Sequence, residues 1–254
     1  MKKPILIYAH IPKTGGTTMR GILEKKFDEL NYLKYPANKS LNEMKAIITD
    51  REPEIQCVYG HCRFGIHQYF HKPHTYMTMI RKPISRLISA FYFIKSQKEN
   101  GLYPLVKNMT IREFIYHQDP RIQVQVNNFQ TRFLCGHAKP TLKQAISHLK
   151  QHFSFVGITE LYPLSVFLFC KKQKWKSVVY KRENTTKTKP DIIPLDKDDY
   201  KYLITKNQSD YYLYNLCRKK LLDQQKKLTY IEKKQLIQYL NVYQNRSKKV
   251  TSNR

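Results

Sequence analysis

The stretch Lys13-Thr14-Gly15-Gly16-Thr17-Thr18 has the residue types and spacing to hold an anion. Two glycines let the backbone turn without a Cβ penalty, the threonines offer hydroxyls, and the first N–H groups of a following helix lack intrahelical partners. Lys13 adds a point charge. The lysine precedes the glycines, the reverse of the nucleotide P-loop pattern G-x-x-x-x-G-K-[ST]. Farther along, His61 carries a side chain suited to taking a proton near neutral pH. Arg81 and Ser89 can converge on one phosphate, the guanidinium gripping two oxygens while the hydroxyl adds a bond. Taken singly, each has an ordinary explanation: a partly buried histidine, an arginine paired with a carboxylate, a serine packed in a helix.

These residues need elements to position them. The apolar run Ile5-Leu6-Ile7-Tyr8-Ala9 reads as a strand, and Met19, Ile22, Leu23, Phe27 and Leu30 recur at helical spacing, so the anion loop joins a strand to a helix. A polar connection follows from Asn31 to Ser40, then a helix around Leu41 to Thr49. Gln56-Cys57-Val58-Tyr59 reads as a short buried strand, which puts His61 just beyond its carboxyl end, where open α/β sheets bind ligands. Thr75 to Ile80 is a third strand, ending at Arg81. Pro83 suits the first turn of a helix running to about Lys98, with Arg86, Ser89, Ala90 and Phe93 on one face. Thr110 caps Ile111 to His117, and Val124 to Leu134 is a helical segment whose Asn127, Asn128, Gln130 and Arg132 are read as facing water. Thr141 caps an amphipathic helix. Phe153 to Ile158 is a fourth strand, Pro163 starts a buried helix, Ser177 to Lys181 is a fifth strand, and Arg182 to Pro190 is a linker or a flap. From Tyr211 onward the pattern is helical.

The composition fits one α/β domain with a helical tail. Lys and Arg number 46 against 19 acidic residues, a net charge of +27 that either attracts an anionic ligand or simply keeps the surface solvated. Eleven basic and two acidic residues fall between Asn215 and Arg254. The five cysteines form no C-x-x-C pair, so reduced thiols are expected rather than a disulfide framework or a zinc ribbon. Lys2 and Lys3 precede only a short apolar run, and no stretch reaches the roughly 20 apolar residues of a membrane span. A cytoplasmic location is the expectation.

Three segments together resemble the sulfotransferases that use 3′-phosphoadenosine 5′-phosphosulfate, especially the group containing heparan sulfate 2-O-sulfotransferase. Pro12 to Thr18 is similar to that family's 5′-phosphosulfate loop. Arg81-Lys82-Pro83-Ile84-Ser85-Arg86-Leu87-Ile88-Ser89 leading into Phe91-Tyr92-Phe93 is similar to its 3′-phosphate motif, and Tyr59-Gly60-His61 to the segment bearing its catalytic base. Fainter echoes lie at Asn128 to Gly136, Phe155 to Glu160 and Asn184-Thr185-Thr186. Two positions depart from the heparan enzyme: Tyr59 stands where it has a first histidine, and His10 where it has an arginine.

The resemblance implies a P-loop-like three-layer α/β fold, with a central, mostly parallel sheet flanked by helices and a C-terminal helical extension. The division expected is a sulfotransferase domain over 1–208, basic amphipathic helices packed on it over 209–246, and a disordered tail over 247–254. Lys13, Thr14, Gly15, Gly16 and Thr17 would hold the 5′-phosphosulfate, Arg81 and Ser89 the 3′-phosphate, and Thr185 would belong to a flap over the donor. His61 would be the base and Lys13 would also serve catalysis. The reaction implied is in-line sulfuryl transfer to a hydroxyl, on a glycan or glycolipid acceptor, leaving adenosine 3′,5′-bisphosphate and using no metal. A nucleotide-dependent kinase is the first rival, although the strands ending at Arg81 and Thr159-Glu160 do not end in the magnesium-holding Asp of P-loop NTPases. A basic nucleic-acid-binding protein is the second; it accounts for the charge but not for the motif order.

Overall fold

A computed structural model describes residues 4–35, 41–137, 139–178, 180 and 193–251. In the first half, strands β1 (Ile5–Ala9), β2 (Tyr32–Tyr35), β3 (Cys57–Gly60) and β4 (His74–Ile80) are interleaved with helices α1 (Gly16–Glu24) after β1, α2 (Leu41–Arg51) after β2 and α3 (Pro83–Ser96) after β4, while a 3-10 turn joins β3 to β4. Short helices follow: α4 (Tyr103–Val106), α5 (Ile111–Tyr116), α6 (Pro120–Val126) and α7 (Phe129–Cys135). Then come α8 (Leu142–Gln151), β5 (Phe153–Ile158), α9 (Tyr162–Lys172), α10 (Lys197–Lys206), α11 (Gln208–Lys226) and α12 (Tyr230–Thr251).

The strands form one parallel sheet in the order β2-β3-β1-β4-β5. Every residue of β1 is buried, as a strand covered on both faces requires. The α/β architecture expected from the sequence, a central parallel sheet flanked by helices, is therefore present. Because β1 lies between β3 and β4, the loops leaving these three strands emerge side by side, on strands spaced about 4.8 Å apart. His61, Lys13 and Arg81 follow those strands, so topology alone gathers the three motifs at one end of the sheet.

Burial divides into two cores. The larger joins the sheet to α1, α7, α8, α9, α11 and α12. The smaller packs Ile84, Leu87, Ile88, Phe91 and Ile94 of α3 against Phe114, Ile122 and Leu203. Leu213, Cys217 and Leu221 of α11 and Leu236 and Tyr239 of α12 lie in the main core, and Tyr239 Oη donates to the Val178 carbonyl at 3.1 Å. All five cysteines are buried and free. No helix among the described residues is long and apolar enough to cross a membrane.

Three sequence expectations need correction. The connection after Asn31 contains β2, an edge strand whose half-exposed pattern hides it. Val124 to Leu134 is two helices, broken where Asn128 adopts a left-handed φ of 45°. Ser177 and Val178, read as the start of a strand, are not in the sheet.

Candidate active site

The anion loop is built around its two glycines. Gly15 has φ of +87°, and a Cβ there would meet the Tyr162 ring at 2.6 Å. A Cβ on Gly16 would fall 1.7 Å from Nε2 of His10, whose imidazole lies across it. Both positions therefore exclude a side chain. Helix α1 starts directly at Gly16 with no side-chain cap and no acidic residue in its first turn, so its amino end presents N–H groups and positive dipole to an anion.

Neighbouring elements brace the loop. Thr14 is buried and its hydroxyl donates to the Ile11 carbonyl at 2.8 Å, so the side chain is used within the loop and what it offers a ligand is its backbone N–H. Thr159, just past β5, reaches both the Thr14 carbonyl (2.9 Å) and the Ile80 carbonyl (3.1 Å) through its hydroxyl. Tyr162 donates to the Gly15 carbonyl at 2.8 Å. Thr17 is half-buried on the first turn of α1.

The cations converge on this loop. Lys13 itself has a left-handed φ of 71°, and its ammonium stands 3.9 Å over the centre of the Phe93 ring. Burial, and then the nearby Arg81, lower its pKa to about 8. Arg81 donates from Nη1 to the Lys13 carbonyl at 3.1 Å, which ties the end of β4 to the anion loop. Ser89 is buried on α3, one turn before Phe93, so it shares the helix face that meets Lys13. Phe93 is 39% exposed and serves as the platform for Lys13 rather than as core.

His61 follows Gly60, whose φ is 150°, and opens to solvent on one side. Its ring centroid lies 4.6 Å from that of His10. Desolvation lowers the His61 pKa from 6.5, so the imidazole is neutral at pH 7 and able to accept a proton. Burial, then His61, Arg20 and Lys13, push His10 down to about 3. The arginine position of the resembled enzyme is thus filled by a neutral ring that carries no charge to the site.

Sequence reasoning missed the support behind Arg81. Gln130, which it assigned to water, is buried, accepts from the Arg81 backbone N–H (2.9 Å) and donates to the Arg81 carbonyl (2.8 Å). Helix α7 has no cap from its own Asn128. Instead Asp210 of α11 accepts from the Gln130 N–H (3.0 Å), the Thr131 N–H (2.7 Å) and the Thr131 hydroxyl (2.7 Å). Beside it the fully buried Arg86 lies 4.2 Å over the Phe129 ring and donates to Gln125, with its pKa lowered to about 10 by burial against the opposing pull of Asp210. The faint echoes at Asn128 to Gly136 and Phe155 to Glu160 were the only sequence signal for Gln130 and Thr159. Thr185 lies outside the described residues.

A parallel sheet with a glycine loop and helix amino end after β1, and an arginine from the end of β4 bonded to the carbonyl of the loop lysine, defines an α/β protein of the P-loop-like class. Residues 2–216 match the sequence model of the sulfotransferase family, and the chain belongs to that family. The match ends inside α11, beyond residue 208, and so takes in Asp210. The chain is 26% identical over 183 residues to a heparin sulfate O-sulfotransferase of Drosophila melanogaster, an alignment covering 61% of this chain and 52% of the relative. It thus spans about half the length of that curated relative. The crystal structure of a sulfotransferase from Alicyclobacillus acidocaldarius superposes with a TM-score of 0.51 at 11% identity, covering 85% of this chain and 96% of that one, a likeness of fold.

Proposed function

We propose that this chain transfers a sulfuryl group from 3′-phosphoadenosine 5′-phosphosulfate to a hydroxyl of a glycan or glycolipid, with His61 as base. The observation that carries the reading is the convergence of the anion loop and Arg81 through the Lys13 carbonyl, with His61 on the adjoining strand end. Lys13, Gly15, Gly16 and Thr17, with the Thr14 N–H, hold the 5′-phosphosulfate, while Arg81 and Ser89 hold the 3′-phosphate. The acceptor oxygen bonds to sulfur as the bond from sulfur to the phosphate oxygen breaks. The acceptor's proton passes to His61, and the electron pair departs on adenosine 3′,5′-bisphosphate. Lys13 and the helix N–H groups neutralise the charge growing on that leaving oxygen. The glycan class draws support from the name of the Drosophila relative.

Calorimetric titration tests the donor site. Wild type is expected to prefer adenosine 3′,5′-bisphosphate over ADP with magnesium by about 10–100-fold, the worth of a charge-assisted bond to the extra phosphate. Arg81→Ala should lose that preference. Equal affinity of wild type for both nucleotides would remove the 3′-phosphate clamp. A glycan panel with labelled donor then identifies the acceptor.

The two shifted groups also fix a pH profile for kcat/KM, which reports the free enzyme. His61 must be neutral, so activity falls as pH drops through a value below 6.5. Lys13 must be charged, so activity falls again as pH rises through about 8. A bell between those limits is expected, and Lys13→Arg should move only its alkaline side upward.

A further inference from the structure

A cluster of histidines lies at the opposite end of the sheet from the donor loop. His67 sits in the 3-10 turn Ile66–Tyr69, His74 begins β4, and His152 separates α8 from β5. One ring nitrogen from each lies within 4.8 Å of the others, and all three residues are half-buried. We propose that His67, His74 and His152 bind a single divalent transition metal of the zinc class, which fastens the segment following His61 to the amino ends of β4 and β5.

The surroundings fit a built site. His67 Nδ1 lies 3.0 Å from the Tyr76 hydroxyl, which also takes the His67 backbone N–H at 3.1 Å. That hydroxyl, which also takes the Gly65 N–H at 3.4 Å, holds the His67 ring through Nδ1, the second partner that metal-bound histidines usually have, and leaves Nε2 as the ring nitrogen for a metal. His152 is anchored through its carbonyl, which accepts from the Tyr76 N–H at 2.9 Å. Phe64 walls one side, 5.0 Å from the His67 ring and 5.1 Å from that of His152. His148 is held apart, its Nδ1 3.0 Å from the Leu134 carbonyl and its ring flat on Phe64 at 3.8 Å.

Donor chemistry selects the ion. Imidazole ligands without carboxylate or carbonyl suit zinc, copper, nickel or iron rather than calcium or magnesium. Around zinc, with bonds near 2.0 Å, tetrahedral nitrogens stand about 3.3 Å apart, so small ring rotations close the site and solvent supplies the fourth position. The site is separate from catalysis. Six residue steps of β4 divide His74 from Ile80, roughly 20 Å of strand before Arg81.

The test uses the full chain without an affinity tag. Zinc at a hundredfold its dissociation constant is expected to raise the melting temperature by about 5–10 °C, with one ion per chain, while magnesium does nothing. His74→Gln and His152→Gln should each abolish the response, and His148→Gln should keep it. Cobalt(II) added to wild type should give the strong visible bands of a tetrahedral ion, a readout that does not depend on the variants folding. No zinc-induced shift and no cobalt bands, or a wild-type response in His74→Gln, would overturn the proposal.

Discussion

Lys13→Ala is expected to lower kcat/KM by about 10²–10³-fold, the usual cost of losing one positioned donor at developing charge. The ammonium is held over Phe93 and beside Arg81, in a half-buried position that no exposed lysine can reach. Its loss should also weaken adenosine 3′,5′-bisphosphate, because one of the two cations gathered at the loop is gone. His61→Ala separates the roles. It should cut turnover by about 10²–10⁴-fold, the range for a general base, and leave bisphosphate affinity essentially as in wild type. Steady-state rates on the acceptor found in the glycan screen, set beside calorimetry for both variants, read the difference. A His61→Ala protein with wild-type turnover would sink the base assignment.

Asp210→Ala is expected to destabilise the fold by about 3–5 kcal/mol, because it strips the cap from α7 and leaves the buried Arg86 without its counter-charge. At roughly 2–4 °C per kcal/mol for a chain of this size, the melting temperature should fall by about 6–20 °C. The effect should reach the donor site, since the helix that Asp210 caps carries the Gln130 that holds Arg81 on both sides of its peptide. Asp210→Asn retains one acceptor oxygen and should recover part of the stability. Thermal unfolding of both variants, and bisphosphate titration of Asp210→Asn well below its melting temperature, check the two links separately. Unchanged melting of Asp210→Ala would mean that α7 finds its cap elsewhere.

The parts of this molecule that were legible in the sequence are those whose signal is local. Apolar runs revealed β1, β3, β4 and β5, and the residues after the first three of those strands revealed the candidate site, because a parallel sheet gathers strand ends whatever lies between. Capping boxes at Thr110 and Thr141 are where the S/T-x-x-E/Q spacing puts them. What stayed hidden depends on partners far away in the chain. Gln130 looks like a surface residue until Arg81, 49 positions earlier, is brought to it. Asp210 looks like the polar side of a tail helix until α7 needs a cap. The histidines at 67, 74 and 152 have no motif spacing, since a strand start, a turn and a helix end supply them. Edge strand β2 was missed for another reason: only Leu33 of its four residues is buried, so neither alternation nor an apolar run stands out.

The Thr159 hydroxyl bridges carbonyls at Thr14 and Ile80, and the first of these lies 145 positions away. That span sets an order for assembly during synthesis. The glycine loop leaves the ribosome before the hydroxyl that braces it, which arrives only after β5, and before the cap behind Arg81, which arrives with α11. Contacts of such sequence separation form late, after the chain has closed its long loops. A nascent chain halted before Thr159 therefore carries Lys13 and Arg81 and still lacks the hydroxyl that ties the glycine loop to the end of β4.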